Sequence, residues 1–157
     1  MRRKDREVTD VTKIDEIFAK CRVMRLAMNE GESPYIVPLN FGYEKSTVGE
    51  YLYFHCANEG KKLDLIKACP NVCFEMDCDH SLIGGKIACD YGYTFSSIIG
   101  KGKAEILTEP CDKIHGLKVL MKHQTGRDFE IDEKMSRAVT VCRVMIENKS
   151  CKMRSSF

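Results

Sequence analysis

The apolar residues of this chain change period near Arg22, and no other feature of the sequence constrains its fold as much. Before that point, Thr12-Lys-Ile-Asp15 reads as a helix cap followed by Ile14, Ile17, Phe18 and Cys21, an i, i+3, i+4, i+7 stripe that buries one face of a short helix. After it, residues 23–28, 35–43 and 50–56 are short runs rich in β-branched and aromatic side chains, with turn residues at 29–34 and 45–49 between them. That succession predicts three strands in a meander. Residues 60–69 place Leu65, Ile66 and Cys69 at helical spacing and stop before Pro70, which predicts a short helix.

Strand character resumes at 71–78. The stretch 79–92 is irregular, with Gly84-Gly85 as a turn, and 93–107 reads as a long strand in which Gly100 and Gly102 predict a bulge or bend. A second helix spans 112–124 with Ile114, Leu117, Leu120 and Met121 on one side, and its His115 and His123 are expected to face solvent. Residues 139–149 form a last strand that is apolar at both parities, as a centrally placed strand would be. Six or so antiparallel strands with short helices between them predict a mainly β fold closed into a barrel, because closure removes the sheet edges. No repeat or Pro/Gly-rich linker divides the chain, so residues 1–157 are expected to form a single domain behind a basic N-terminal tail.

Composition narrows the function classes. Among 157 residues, 25 Lys+Arg stand against 23 Asp+Glu, so there is no basic surplus with which to grip nucleic acid. No run approaches the roughly 18 apolar residues of a membrane span. Nine Cys first suggest a disulfide framework, but the odd count and the absence of a secretory signal point to reduced thiols in a cytoplasm. Cys73, Cys78, His80 and Cys89 cluster in sequence without any Cys-x-x-Cys. Cys73 and Cys78 differ by five and fall on opposite strand faces, so no metal site is expected. Hydrolase and nucleoside-triphosphatase motifs are likewise missing.

The stretch Tyr53-Phe-His-Cys-Ala-Asn-Glu-Gly-Lys-Lys-Leu-Asp64 carries the most chemistry. A strand runs into a glycine and two adjacent lysines that open a helix, bringing unpaired N–H groups, the positive helix end and ammonium groups to one point. A phosphate monoester needs that arrangement, although a solvated surface turn has the same pattern. His55 ends the strand, and Cys56 beside it is a candidate redox thiol.

The segments 35–43 and 93–105 on either side of this turn resemble the flavin-binding split-barrel proteins of the pyridoxamine-phosphate-oxidase-like superfamily, and the likeness is closest to its 5-nitroimidazole-resistance family. The opening Met-Arg-Arg-Lys-Asp-Arg-Glu, Val37-Pro-Leu-Asn-Phe-Gly42, Leu52-Tyr-Phe-His55, Gly60-Lys-Lys-Leu63, Cys89-Asp-Tyr91 and Ile99-Gly100 follow that family's pattern in its order. The resemblance is close over residues 1–108 and looser beyond. It implies a split β-barrel that binds FMN, or FAD, between the two subunits of a homodimer and reduces a small, flat substrate such as a 5-nitroimidazole.

Carried over residue by residue, the resemblance places Val37, Pro38, Leu39 and Asn40 along the flavin ring and Lys61 and Lys62 on its phosphate. It brings Ser96, Ser97 and Ile98 to the cofactor from the partner subunit. Lys61 and Lys62 stand where pyridoxamine-phosphate oxidase itself has an Arg-Lys pair, and a lysine is a point charge without the bidentate fork. His55 matches a family histidine beside the flavin, where it would orient or donate to an anion or nitro group. The end Lys152-Met-Arg-Ser-Ser-Phe157 lacks the Arg-containing, Pro-ending C-terminus of pyridoxamine-phosphate oxidase, so a different substrate is expected. The alternative is a non-catalytic flavin- or haem-binding sensor with His55 as a haem ligand.

Overall fold

The computed structural model describes residues 3–155; Met1 and Arg2 of the basic opening and Ser156 and Phe157 of the C-terminal stretch lie outside the described residues. A two-residue strand, β1 (Glu7–Val8), precedes helix α1 (Val11–Lys20). The cap of α1 is Asp10 rather than Thr12: its backbone is extended and its carboxylate accepts the Lys13 N–H at 3.0 Å. Then come β2 (Val23–Glu30), β3 (Ser33–Asn40), β4 (Gly42–Ser46) and β5 (Gly49–Cys56), followed by α2 (Lys61–Ala68). The chain continues through β6 (Asn71–Ile83), β7 (Gly92–Ile106), α3 (Pro110–Thr125), a short α4 (Glu133–Arg137) and β8 (Thr140–Arg154).

The strands form one antiparallel sheet in the order β3-β2-β6-β7-β8-β5-β4, with β1 added on β8. The architecture is a mainly β split barrel with short helices. Eight strands replace the six expected, because β1 joins and the predicted strand 35–43 divides at Phe41 into β3 and β4. These two lie at opposite ends of the sheet, so the predicted meander ends at Phe41 and closure comes from the chain itself instead of a ladder. Phe41 is fully buried, and its carbonyl accepts from Gln124 Nε2 of α3 at 2.8 Å rather than from a neighbouring strand. Gly42 lets α3 settle there, since a Cβ at this position would stand 2.5 Å from the Leu120 Cα.

Alternation along the strands fills the barrel. Met24, Leu26, Met28, Phe54, Phe74, Met76, Ile98 and Val144 are buried in one cluster that α1 and α2 extend with Ile17, Phe18, Leu63 and Ile66. On the other face of β5 and β8, Tyr53, Val141 and Leu107 pack in a second cluster with Leu117 and Val119 of α3. β8 therefore has apolar neighbours on both faces, as its parity pattern predicts. The bulge expected near Gly100 and Gly102 is present as a register shift between Lys101 and Gly102 in the pairing of β7 with β8.

β6 runs to Ile83, five residues past the predicted end, after a second register shift between Cys78 and Ser81. Asp79 sits in that bulge at φ 59°, a conformation aspartate tolerates better than most residues. Its carbonyl accepts from Thr94 Oγ1 at 2.8 Å, and its carboxylate accepts from Ser96 Oγ at 3.0 Å and Lys20 Nζ at 3.1 Å. Partial burial pushes the Asp79 pKa up, but the hydrogen bonds from Lys20 and Ser96 outweigh it and hold the group below its ordinary value.

Two outcomes follow from these contacts. Gly42→Ala should destabilise the protein by about 1–3 kcal/mol in urea unfolding, because the new methyl meets helix backbone that cannot swing away. Asp79→Asn should lower Tm at pH 7. The depressed folded-state pKa means that the carboxylate contributes stability above the unfolded value near pH ~3.9 and loses it as pH falls through the folded value. The Tm gap between wild type and variant should therefore close in acid.

Candidate functional site

Helix α2 opens at Gly60, whose φ of 140° favours glycine, and no side chain caps the helix there. The Gly60 carbonyl accepts from the Leu63 N–H at 2.9 Å, while the N–H groups of Lys61 and Lys62 precede the first intrahelical bond. No atom lies within 4 Å of a Cβ placed on Gly60, so the turn is open to an approaching group. Asn58, just upstream, ties it to β8 by accepting from Thr140 Oγ1 at 3.0 Å.

The two lysines leave this turn in different directions. Lys61 Nζ lies 2.5 Å from Glu30 Oε1 on the β2–β3 hairpin and 4.6 Å from the centre of the Tyr35 ring. Lys62 has no ion pair among the described residues; its charge acts on Cys56 and Cys142 at the ends of β5 and β8. Burial dominates both thiols all the same, pushing Cys142 up to about 12 and raising Cys56, so the redox role considered for Cys56 gains no support from an activated thiolate.

The other sequence candidates sort by strand face. On edge strand β3, Val37 and Leu39 pack against the barrel interior while Pro38 and Asn40 point outward. Pro34 and Pro38 share parity, so both missing N–H groups fall on one side of a strand that pairs only with β2, which requires that side to be the open edge. Asn40 Nδ2 donates to the Arg22 carbonyl at 3.1 Å. Ile98 is fully buried, Ser96 is buried with its hydroxyl committed to Asp79, and only Ser97 of that trio presents a side chain on the outer face. His55 is exposed on the α3 side of β5, opposite in parity to Cys56.

Across the outer face the register runs Pro38, Arg25, Glu75, Ile99, with Ser97 beside Asp77. Ile99 and Pro38 are thus three strand spacings apart, about 14 Å along the sheet, and Ser97 lies two residues further along β7. Arg25 fills the interval by pairing with Asp77 and, at 3.5 Å, with Glu75; His80 Nε2 lies 3.0 Å from Asp77. Burial and the Asp77 charge raise the Glu75 pKa. Neither the place of Arg25 in this cluster nor the Glu30–Lys61 pair is visible in the sequence, since Arg25 is far from Glu75 and Asp77 along the chain, as Glu30 is from Lys61, with no spacing signal to join them.

Of the two histidines expected to face solvent, His115 does and His123 does not. His123 is half-buried, with Nε2 2.9 Å from the Cys21 carbonyl and its ring against Phe41, and burial lowers its pKa. His115 is largely exposed yet lies 2.8 Å from Glu44 Oε1, and Glu44 also accepts from the Tyr53 hydroxyl at 3.0 Å. Of the nine thiols, Cys21, Cys142 and Cys151 are buried, whereas Cys89 and Cys111 are exposed, so core packing accounts for only part of the cysteine content. Cys78 faces the core and Cys73 does not, as their spacing predicts. Among the described residues, no group of three His, Cys, Asp or Glu is placed to hold a metal, and no helix is long and apolar enough to cross a membrane.

Comparison with known proteins bears on this arrangement. A candidate 5-nitroimidazole antibiotic resistance protein from Bacteroides thetaiotaomicron superposes with a TM-score of 0.80 at 28% identity, over 94% of this chain and 86% of that one. An FAD-binding protein from Mesorhizobium loti gives 0.67 at 25% identity, over 96% and 98%. A flavocytochrome from Azotobacter vinelandii gives 0.80 at 18% identity, over 99% and 72%, a likeness of fold alone. No curated protein matches the chain. A family model described as pyridoxamine 5'-phosphate oxidase matches residues 10–153, and to that family, on a split barrel like that of the Bacteroides protein, the chain belongs.

Proposed function

We propose that this protein binds FMN at the Gly60–Lys62 turn and is a flavin-dependent oxidoreductase acting on a small, flat substrate, with a nitroaromatic of the 5-nitroimidazole type as the first candidate. The observation that carries this is the turn itself: an uncapped helix start with two lysines, one of them already holding an anion in the form of the Glu30 carboxylate. A phosphate oxygen makes the same charge-assisted contact as that carboxylate oxygen, so the donor set fits the group. FAD offers a phosphate to the same turn. The family supports a flavin-dependent role, and the 5-nitroimidazole resistance ascribed to the Bacteroides protein supports the substrate class.

In this reading Lys61, Lys62 and the first N–H groups of α2 hold the phosphate, and the open edge of β3 from Val37 to Asn40 lines the flat ring. Bound flavin supplies two-electron transfer, and the protein orients it. His55, exposed and among the described residues without a hydrogen-bond partner, is free to donate to a nitro group or another anion reached from its side of β5. The outer face between Pro38 and Ser97 leaves Ile36 and Ile99 each 56% exposed, and a second copy laid on it would bring its own Ser97 to a ligand on β3. A homodimer is therefore part of the proposal.

The protein as purified, or after incubation with excess FMN, should show flavin absorption, and the chromophore released on denaturation should have the mass of FMN. Replacing Lys61 and Lys62 together by Ala should weaken FMN binding by about tenfold or more and riboflavin binding far less, with the circular dichroism unchanged. A protein that stays colourless with excess FMN and FAD would sink the proposal. A Soret band in place of flavin bands would favour the haem-binding alternative.

A further inference from the structure

We propose that Glu30 is a built-in competitor for the cofactor phosphate, so that phosphate-bearing ligands enter by exchanging with it at Lys61. This rests on the flavin-binding reading above. Glu30 is the last residue of β2, next to the two-residue turn Gly31-Glu32 that leads into β3. Its carboxylate reaches across to α2 and takes the Lys61 ammonium at 2.5 Å, with no other cation near enough to pair with it among the described residues. Both side chains are about half exposed, 51% for Lys61 and 41% for Glu30, so the pair is a surface contact of modest strength that a second anion can replace.

The geometry separates what moves from what stays. Lys61 lies over the Tyr35 ring at 4.6 Å, and Tyr35 packs against the barrel core, so the ammonium keeps its place when the carboxylate turns away. Glu30 sits on a hairpin with solvent around it and is free to turn. A dianionic phosphate outbids a monoanionic carboxylate for one ammonium, particularly with the α2 N–H groups and Lys62 adding donors that Glu30 does not engage. Glu30 therefore lowers the affinity for every phosphate-bearing ligand while leaving ligands without an anionic group, such as riboflavin, untouched. It discriminates against weakly charged anions that would otherwise settle on the turn.

The test compares FMN with riboflavin on flavin-free full-length protein by fluorescence quenching. Glu30→Gln should bind FMN roughly two- to fivefold more tightly than wild type and riboflavin equally. In a Lys61→Ala background the same substitution should change nothing, because Glu30 acts through Lys61. An FMN affinity that is unchanged or weakened by Glu30→Gln, or improved equally when Lys61 is absent, overturns the inference while the flavin reading stands. Absence of FMN and riboflavin binding in wild type and variant alike overturns both.

Discussion

The chain meets itself at Phe41. A β-sheet of this length must either join its two edges by hydrogen bonds or leave them open, and here the edges are consecutive strands linked by one buried residue. The polar backbone at that seam still needs partners, and α3 supplies them: Gln124 Nε2 donates to the Phe41 carbonyl at 2.8 Å and to the Arg22 carbonyl at 3.0 Å. Gly42 exists to let that helix come close enough. Everything else follows from the seam, because it decides which strand edges remain unpaired.

One of those edges, β4, is only five residues long and lies under α3. The other, β3, is eight residues long and, among the described residues, has only β2 beside it. An exposed edge of that length invites pairing with another chain, and Pro34 and Pro38 remove two of its donors. The same prolines leave a strand whose backbone is available but whose hydrogen-bonding is sparse, a surface suited to a flat heteroaromatic ligand and poorly suited to a further strand. If flavin binds here as proposed, protection of the edge and provision of a ligand surface are one solution.

The strand segments, the helix before Pro70, the bulge at Lys101–Gly102 and the two-faced burial of β8 were legible in the sequence because each is written in local period and turn chemistry. The break at Phe41 was not. Residues 35–43 read as one apolar run, and nothing local shows that a helix eighty residues away withdraws the Phe41 carbonyl from the ladder. For the site, the Gly60-Lys-Lys turn was legible as a motif, whereas the divergence of its lysines depends on Glu30 and Tyr35 from a hairpin thirty residues earlier. Strand parity could have warned that Ser96 and Ile98 turn inward, since the charged Lys101, Lys103 and Glu105 share the parity of Ser97 and mark the other face as the outer one.

That inward turn bears on how two copies would share a ligand. If Ser96 is committed to Asp79 and Ile98 to the core, the stretch 96–98 offers a neighbour its backbone and the Ser97 side chain only. Asp79 then braces this surface from behind, for its carboxylate holds the Ser96 hydroxyl at the end of the unbroken β6–β7 register that sets Asp77 beside Ser97. Arg25 pairs with both Asp77 and Glu75 within one protomer and offsets one of their two charges, so the outer face between the two exposed isoleucines carries ion-paired groups and apolar surface together. Burying a face of that kind against its own copy costs less than burying an unpaired Arg25 or Asp77 would, and the raised Glu75 pKa reduces the carboxylate charge that Arg25 leaves uncompensated.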